Sequence, residues 1–458
     1  MGVSDQYWMK DLETVSRSDL AKIQLEKLKR ILTYCQSNSK FYQKKFKENR
    51  VSISNIRTMQ DIVSLPLTSR DEVVKDQMEN GSMGSFMCTE FEEPGQTIGM
   101  TGVKFSATGH PIRVILSLED AASQGRLGAR GLTCAGVQAK DYLYVMDSPQ
   151  FNLLYMHLGL GSINLGSKSI LVGMERAERN TSIYTRLYPP TSFYISPSYA
   201  KLVTQLLKQT KKRYPIHTIL GWSEPGYSLP SWKRRLQEMW GEVSDQTKIT
   251  ICDVYGMVEV GLLGFECIHQ KGLHGFEDAY IYEIIDPNTE DVLPPGEEGE
   301  LVVTHLEREA MPLIRYRTGD ITSIQLEPCA CGRTHLRLMG IKGRLDQAIN
   351  VTGKKIYQSQ IEDVLGSFKG YPGEFNVITN GSEELNRLEL NILKDTISEE
   401  VQQHLEASCS KRLGVPVQIN LKSKYDLLVF MHRSQKVFNQ DNWEMLKKEA
   451  EKQLRAET

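Results

Sequence analysis

Between about residue 112 and residue 255 the chain alternates short apolar runs with longer amphipathic ones. The runs at 142–146, 169–172, 192–195, 217–221 and 248–254 are apolar and short, and helical patterns separate them. Strands that return through helical crossovers pair in parallel, so this alternation predicts an α/β sheet with many parallel strands. From 275 onward the texture changes. Runs 279–285 and 299–305 read as strands around the turn-rich Asp286-Pro287-Asn288-Thr289 and Pro294-Pro295-Gly296, a small β-rich unit. A fresh α/β segment follows Asp346. The expected organisation is a large N-terminal body, 1–343, and a small α+β body, 344–458. Ahead of the sheet, residues 10–50 carry Leu20, Ile23, Leu25, Leu28, Ile31 and Leu32 at helical spacing, which predicts an amphipathic helix. Pro66 then gives a stop, with Thr68 or Ser69 as the next helix cap.

A length of 458 residues supports two to three domains, and 40% hydrophobic content suffices for their cores. A formal net charge of −2 provides no global basic field, so nucleic acid is not an expected partner. The basic run 208–213 (K-Q-T-K-K-R) reads as a solvated helix end. No apolar run approaches the ~18 residues that span a bilayer. The opening M-G-V-S-D-Q lacks a secretory pattern, and Gln6 fails the myristoylation pattern. A cytoplasmic protein without a membrane partner is expected. The eight cysteines do not form the dense framework of a small secreted protein.

Several short motifs carry chemistry. Tyr255-Gly256-Met257-Val258-Glu259-Val260-Gly261 follows a strand candidate. Tyr255 offers a flat face for adenine, Gly256 a close backbone approach, and Glu259 a hard oxygen for Mg²⁺. Asp320 ends the run R-Y-R-T-G-D and offers acceptors to a ribose diol. In Lys104–Pro111, Ser106, Thr108 and Gly109 suit a phosphate cradle. Gly221-Trp222-Ser223-Glu224-Pro225-Gly226 is a second post-strand turn. Each motif alone also reads as a tight turn or a surface ion pair; their order and spacing together fit an ATP-using, acid-activating enzyme. Cys267-Ile268-His269 and His274, then Cys329-Ala330-Cys331 about 60 residues later, fit a closed tetrahedral zinc site. His269, beside Cys267, is the favoured fourth ligand and His274 its rival. Free thiols at both places are the other reading.

The chain resembles the phenylacetate–CoA ligase family of the adenylate-forming (acyl-CoA synthetase) superfamily. The resemblance covers nearly the whole chain. It rests on Tyr7-Trp8 with Leu12-Glu13-Thr14, Gly272-Leu273-His274 with Glu277-Asp278, Pro294 through Leu301, Pro312 through Thr318, and Gly343-Arg344 through Leu365. It implies an acid–CoA ligase using ATP and Mg²⁺, with CoA as co-substrate, a structural Zn²⁺ and a mobile C-terminal domain. Ser223, Glu224 and Pro225 would line the adenine pocket, with Tyr255 stacked on the base. Glu259 would hold Mg²⁺, Asp320 the ribose, and Arg344 would reach the nucleotide. Asp346 would be the pivot, and Lys436 the lysine that assists adenylation. Two departures stand out. The family's phosphate loop, approximately S-S-G-T-T-G-K-P, has Phe105, Ser106, Ala107 and His110 at four of its positions here. The acyl-pocket segment is replaced at 147–154, which moves the expected acid away from phenylacetate itself. An amine or carrier-protein acceptor, a weakened nucleotide-binding homologue, and a homodimer stay open.

Overall fold

The computed structural model describes residues 6–81, 83–90, 96–100, 110–146, 153–172, 177–221, 225–368, 375–379, 384–393, 399–423, 437–440 and 443–448. Where one N-terminal helix was expected, three form: α1 (Lys10–Glu13), α2 (Arg17–Asn38) and α3 (Lys40–Glu48). The break falls at Ser39, which ends α2 and whose hydroxyl accepts from the Tyr42 amide at the start of α3. Helix α4 (Arg70–Glu79) begins at Ser69. Ser69 and Glu72 cap each other's backbone, so Ser69 rather than Thr68 is the cap. Thr68 instead bridges to Tyr316. The hairpin β1 (Thr97–Met100) and β2 (Arg113–Leu116) leads into α5 (Leu118–Cys134).

The α/β body then runs β3 (Tyr142–Met146), α6 (Leu153–Leu165), β4 (Lys168–Val172), α7 (Ala177–Leu187), β5 (Ser192–Ile195), α8 (Pro197–Gln209), β6 (Thr218–Gly221), α9 (Pro230–Gly241) and β7 (Thr250–Met257). Helices α5 and α6 meet backbone to backbone. A Cβ on Gly128 would lie 2.8 Å from the His157 carbonyl oxygen, and one on Gly161 2.7 Å from the Gly128 carbonyl carbon. Strands β8 (Gly261–Glu266) and β9 (Leu273–Gly275) fold back antiparallel. The β-rich unit adds β10 (Tyr280–Ile285), β11 (Gly299–His305), β12 (Tyr316–Thr322), β13 (Ile324–Gln325), β14 (Arg337–Leu338) and β15 (Gly343–Arg344).

Strands β13-β14-β9-β8-β7-β6-β5-β3-β4 make one nine-stranded sheet, parallel from β4 to β7. β5 and β6 are buried at every residue, which is why they read as unbroken apolar runs. The order reverses at β3: one connection runs outward to β4, the next returns to β5. Such a switch point opens a crevice at the carboxyl ends of the strands. Strands β10-β11-β12-β15 form a second, antiparallel sheet.

Beyond β15 come β16 (Ile349–Val351), β17 (Lys354–Ile356), α10 (Gln358–Gly366), β18 (Phe375–Thr379), β19 (Leu388–Leu393), α11 (Glu399–Leu413), β20 (Val417–Lys422) and β21 (Val437–Asn439). These elements bury their own hydrophobic cluster, from Ile349 to Val437, separate from the large cluster that spans Leu28 to Leu338. Helix α10 rests on α9, where Ser231 Oγ donates to Asp363 Oδ1 at 2.7 Å. Among the described residues no helix is long and apolar enough to cross a membrane.

Candidate active site and metal centre

The nucleotide motifs converge through sheet register. Asp320 on β12 lies directly opposite Arg344 on β15. That pairing sets Arg344 Nη1 3.7 Å from Asp320 Oδ1. Tyr255 reaches the same carboxylate from the first sheet, its hydroxyl donating to Asp320 Oδ2 at 2.6 Å. Tyr255 and Gly256 were expected in a turn after the strand. Instead β7 continues to Met257, and a bulge at Tyr255/Gly256 re-aims the chain. The room at Gly256 serves its own hairpin: a Cβ there would lie 2.7 Å from the Gly261 carbonyl oxygen. Burial pushes the Asp320 carboxyl up to about 6, against the pull of Arg344 and the Tyr255 hydroxyl. The same burial, with Asp320 beside it, holds the Tyr255 phenol well above its ordinary value.

Glu259 sits in the tight turn between β7 and β8 and is 6% exposed. Its Oε1 accepts from the Tyr316 hydroxyl at 3.0 Å and from Arg70 Nη1 at 3.2 Å. The Thr68–Tyr316 bridge explains the second contact. It pins the start of α4 along β12, so Arg70, in the first turn, faces Glu259. Tyr316 lies in the R-Y-R-T-G-D run, but nothing local assigned it or Arg70 to Glu259, because both reach Glu259 only through this long-range pairing. Arg344 also holds Asp346, with Nε at 3.0 Å from Oδ1 and Nη2 at 3.2 Å from Oδ2. Asp346 is thereby tied to Asp320 through one guanidinium. Ser106, Thr108, Gly109, Ser223, Glu224 and Lys436 lie outside the described residues. Pro225 opens a short 3₁₀ turn to Tyr227.

A second constellation lies behind β8 and β9. One ligand atom from each of Cys267, His274, Cys329 and Cys331 falls within 4.8 Å of the others, and all four residues are buried. Two Zn–S bonds of ~2.3 Å at a tetrahedral angle separate sulfurs by ~3.8 Å. The Cys267 and Cys329 sulfurs are 3.7 Å apart, and Cys331 Sγ lies 3.3 Å from His274 Nε2. The donor set therefore fits a closed zinc site. His274 takes the fourth place, not the favoured His269. Cys267–Gln270 is a turn that leaves His269 exposed, whereas β9 runs back beside β8 and brings His274 inside. Hydrogen bonding to Cys267 and His274 holds the Cys331 thiol below its ordinary value, so thiolate character is favoured there. The N-terminal segment braces the Cys329–Cys331 turn. Gln6 and Tyr7 both donate to the Cys331 carbonyl at 2.7 Å, and Arg333 pairs with Glu13.

With this geometry in view, comparisons with known proteins converge. Residues 353–441 match the model of the AMP-binding enzyme C-terminal domain. The chain is 28% identical over 387 residues to the phenylacetate-coenzyme A ligase of Thermus thermophilus, covering 83% of each protein. It is 27% identical over 394 residues to that of Escherichia coli, covering 83% of this chain and 84% of the other. A crystal structure of 2-hydroxyisobutyryl-CoA ligase in the postadenylation state aligns with a TM-score of 0.85 and 22% identity, over 100% of this chain and 96% of that one. The same enzyme in the thioesterification state aligns at 0.70, over 99% of this chain and 96% of that one. The chain is thus similar to phenylacetate–CoA ligases over most of its length, and residues 353–441 match the C-terminal domain of AMP-binding enzymes.

Proposed function

We propose that this protein is an ATP-dependent, AMP-forming acid ligase that passes its acyl group to CoA. The observation that carries the reading is the convergence of Tyr255, Asp320 and Arg344 from two sheets, beside a buried Glu259, in a chain similar to these ligases. Asp320 would accept from the ribose hydroxyls, and Arg344 would keep that carboxylate ionised. Glu259 has one oxygen, Oε1, engaged by Tyr316 and Arg70; its Oε2 takes no bond from the described residues and suits a hard cation. A magnesium ion held there would neutralise charge on phosphate oxygens.

The chemistry needs no protein nucleophile. A substrate carboxylate oxygen attacks the α-phosphorus of ATP, and the bond to pyrophosphate breaks. The thiol then loses its proton as sulfur attacks the acyl carbon, and AMP leaves. Two half-reactions at one site call for rearrangement of the C-terminal body, 344–458, about Asp346. Its separate core and the Ser231–Asp363 contact support movement as a unit that exchanges docking contacts. The closer fit to the postadenylation state supports the reading that this arrangement follows adenylation. The zinc, held by Cys267, His274, Cys329 and Cys331, would be structural, since four protein ligands leave no position for substrate.

The test is acid-dependent exchange of labelled pyrophosphate into ATP over a panel of carboxylic acids, followed by CoA consumption with the best acid. Exchange without CoA consumption would move the acceptor to an amine or a carrier thiol. No exchange with any acid, alongside intact ATP binding, would favour the weakened nucleotide-binding homologue.

A further inference from the structure

Behind the Glu259 turn lies a buried polar clamp with His305 at its centre. His305, the last residue of β11, is 2% exposed. Its Nδ1 accepts from the Leu313 amide at 2.9 Å. A backbone N–H can only donate, so the ring proton sits on Nε2, which donates to the Val260 carbonyl at 2.9 Å. The His305 amide also donates to the Leu313 carbonyl at 2.9 Å, so histidine and Leu313 exchange two bonds. Val260 follows Glu259 directly, and Leu313 precedes Tyr316, whose hydroxyl holds Glu259 Oε1. One imidazole thus spans the two segments that fix the carboxylate. Burial, reinforced by nearby Arg308, holds His305 down to about 3, so the ring stays neutral and keeps one donor and one acceptor. Neighbours complete the clamp. Gln124 accepts from the Leu262 amide at 2.8 Å and donates to the Tyr280 hydroxyl at 2.8 Å. Arg308 Nη2 contacts the Glu259 carbonyl at 3.4 Å.

We propose that His305 is a positioning residue for Glu259, fixing where the carboxylate oxygen meant for a divalent cation stands. The proposal rests on the reading of Glu259 as the cation carboxylate. His305 touches no reacting atom; it acts through the Val260 carbonyl on one side and the Leu313 amide on the other. Both bonds are short and shielded: loss of the Leu313 bond strands a buried amide, and loss of the Val260 bond leaves that carbonyl only the longer contact from the Tyr280 hydroxyl, at 3.4 Å. Losing the Val260 bond leaves the turn that carries Glu259 held at its Glu259 and Val260 carbonyls only by the 3.4 Å contacts from Tyr280 and Arg308. Losing the Leu313 bond leaves that turn held and loosens only the approach to Tyr316.

Two substitutions separate these bonds, because a glutamine amide nitrogen lies near the place of Nε2 and an asparagine oxygen near that of Nδ1. The measurement is the affinity for ATP by calorimetry, once with Mg²⁺ and once with the cation chelated; no acid substrate is needed. In the wild type, Mg²⁺ should tighten ATP by about ten- to a hundredfold, the scale of one charge-assisted contact. E259Q should abolish that gain. H305Q should retain most of it, and H305N should lose it, although melting temperatures show both to be destabilised. If H305N does not fold, H305M, which fills the volume without either bond, takes its place. A wild-type Mg²⁺ gain in H305N or H305M, with that gain lost in E259Q, would overturn the proposal and leave His305 a packing residue. A gain that survives E259Q would remove Glu259 as the cation carboxylate and the proposal with it.

Discussion

If the buried Asp320 carboxylate is the ribose acceptor proposed above, nucleoside affinity should depend on pH in a calculable way. Asp320 has its pKa raised from 3.8 to about 6 by burial. Ribose hydroxyls donate, so they need the ionised carboxylate. Each charge-assisted bond of ~1.5–3 kcal/mol would pull the bound-state pKa down by more than about one unit. Protonation of the free site then competes with the ligand. With a free-site pKa near 6, affinity at pH 5 should be about tenfold weaker than at pH 7, a loss of ~1.4 kcal/mol. The probe should be adenosine, because nucleotide phosphates titrate in the same range, with a second pKa of about 6. Unfolding is not a rival explanation from this residue. A carboxyl with a raised folded pKa contributes stability that is present in acid and lost as pH rises from 3.8 through about 6. Asp320→Asn should flatten the adenosine profile. Tyr255→Phe, which removes a hydrogen bond that lowers the Asp320 pKa, should move the midpoint upward. A wild-type profile flat between pH 5 and 7, or a slope that survives in Asp320→Asn, would refute Asp320 as the ribose acceptor.

Protein purified without added zinc should carry about one zinc per chain by metal analysis, and Cys329→Ser should lose both the metal and thermal stability. His157 is fully buried on α6, neither ring nitrogen has a partner among the described residues, and burial holds its pKa down to about 3. The folded state therefore resists a proton that the unfolded chain takes up below pH 6.5, so stability is full above that pH and falls as pH drops toward 3. Between pH 7 and 5 urea unfolding should show a loss about 2 kcal/mol greater in wild type than in His157→Gln, at ~1.4 kcal/mol per pH unit; equal losses would sink the idea. Asp346→Pro, which fixes φ at the pivot, should slow acyl transfer more than adenylation, and Lys436→Ala should do the reverse. Parallel assays of the two half-reactions decide it, and equal effects on both steps for each variant would remove the rotating-domain reading.

What could be read from the sequence was set by how local each signal is. Residues 142–146, 192–195 and 299–305 are observed as strands with those bounds, because an apolar run flanked by turn residues is a local property. The helix expected over 10–50 was local too, yet it missed the break at Ser39, where one serine ends a helix and caps the next. Choosing His269 over His274 shows the opposite failing. Nearness in sequence favoured the residue two positions from Cys267, but antiparallel return of β9 along β8 brings the more distant histidine to the sulfurs. Arg70 and His305 carried no signal, and Tyr316, though inside a motif, none for its contact with Glu259, since each acquires its role from a partner in another element.

Asp320 and Arg344 stand between these cases. Both motifs were legible, but their pairing is a matter of register. In β12 and β15 they are directly opposed neighbours. A one-residue slip would turn either side chain to the other face of the sheet. Asp320 would then lose its counter-charge, and Asp346 would lose its tie to Asp320 through Arg344. Sheet register, more than any single residue, therefore couples the proposed nucleotide site at Asp320 to the proposed hinge at Asp346.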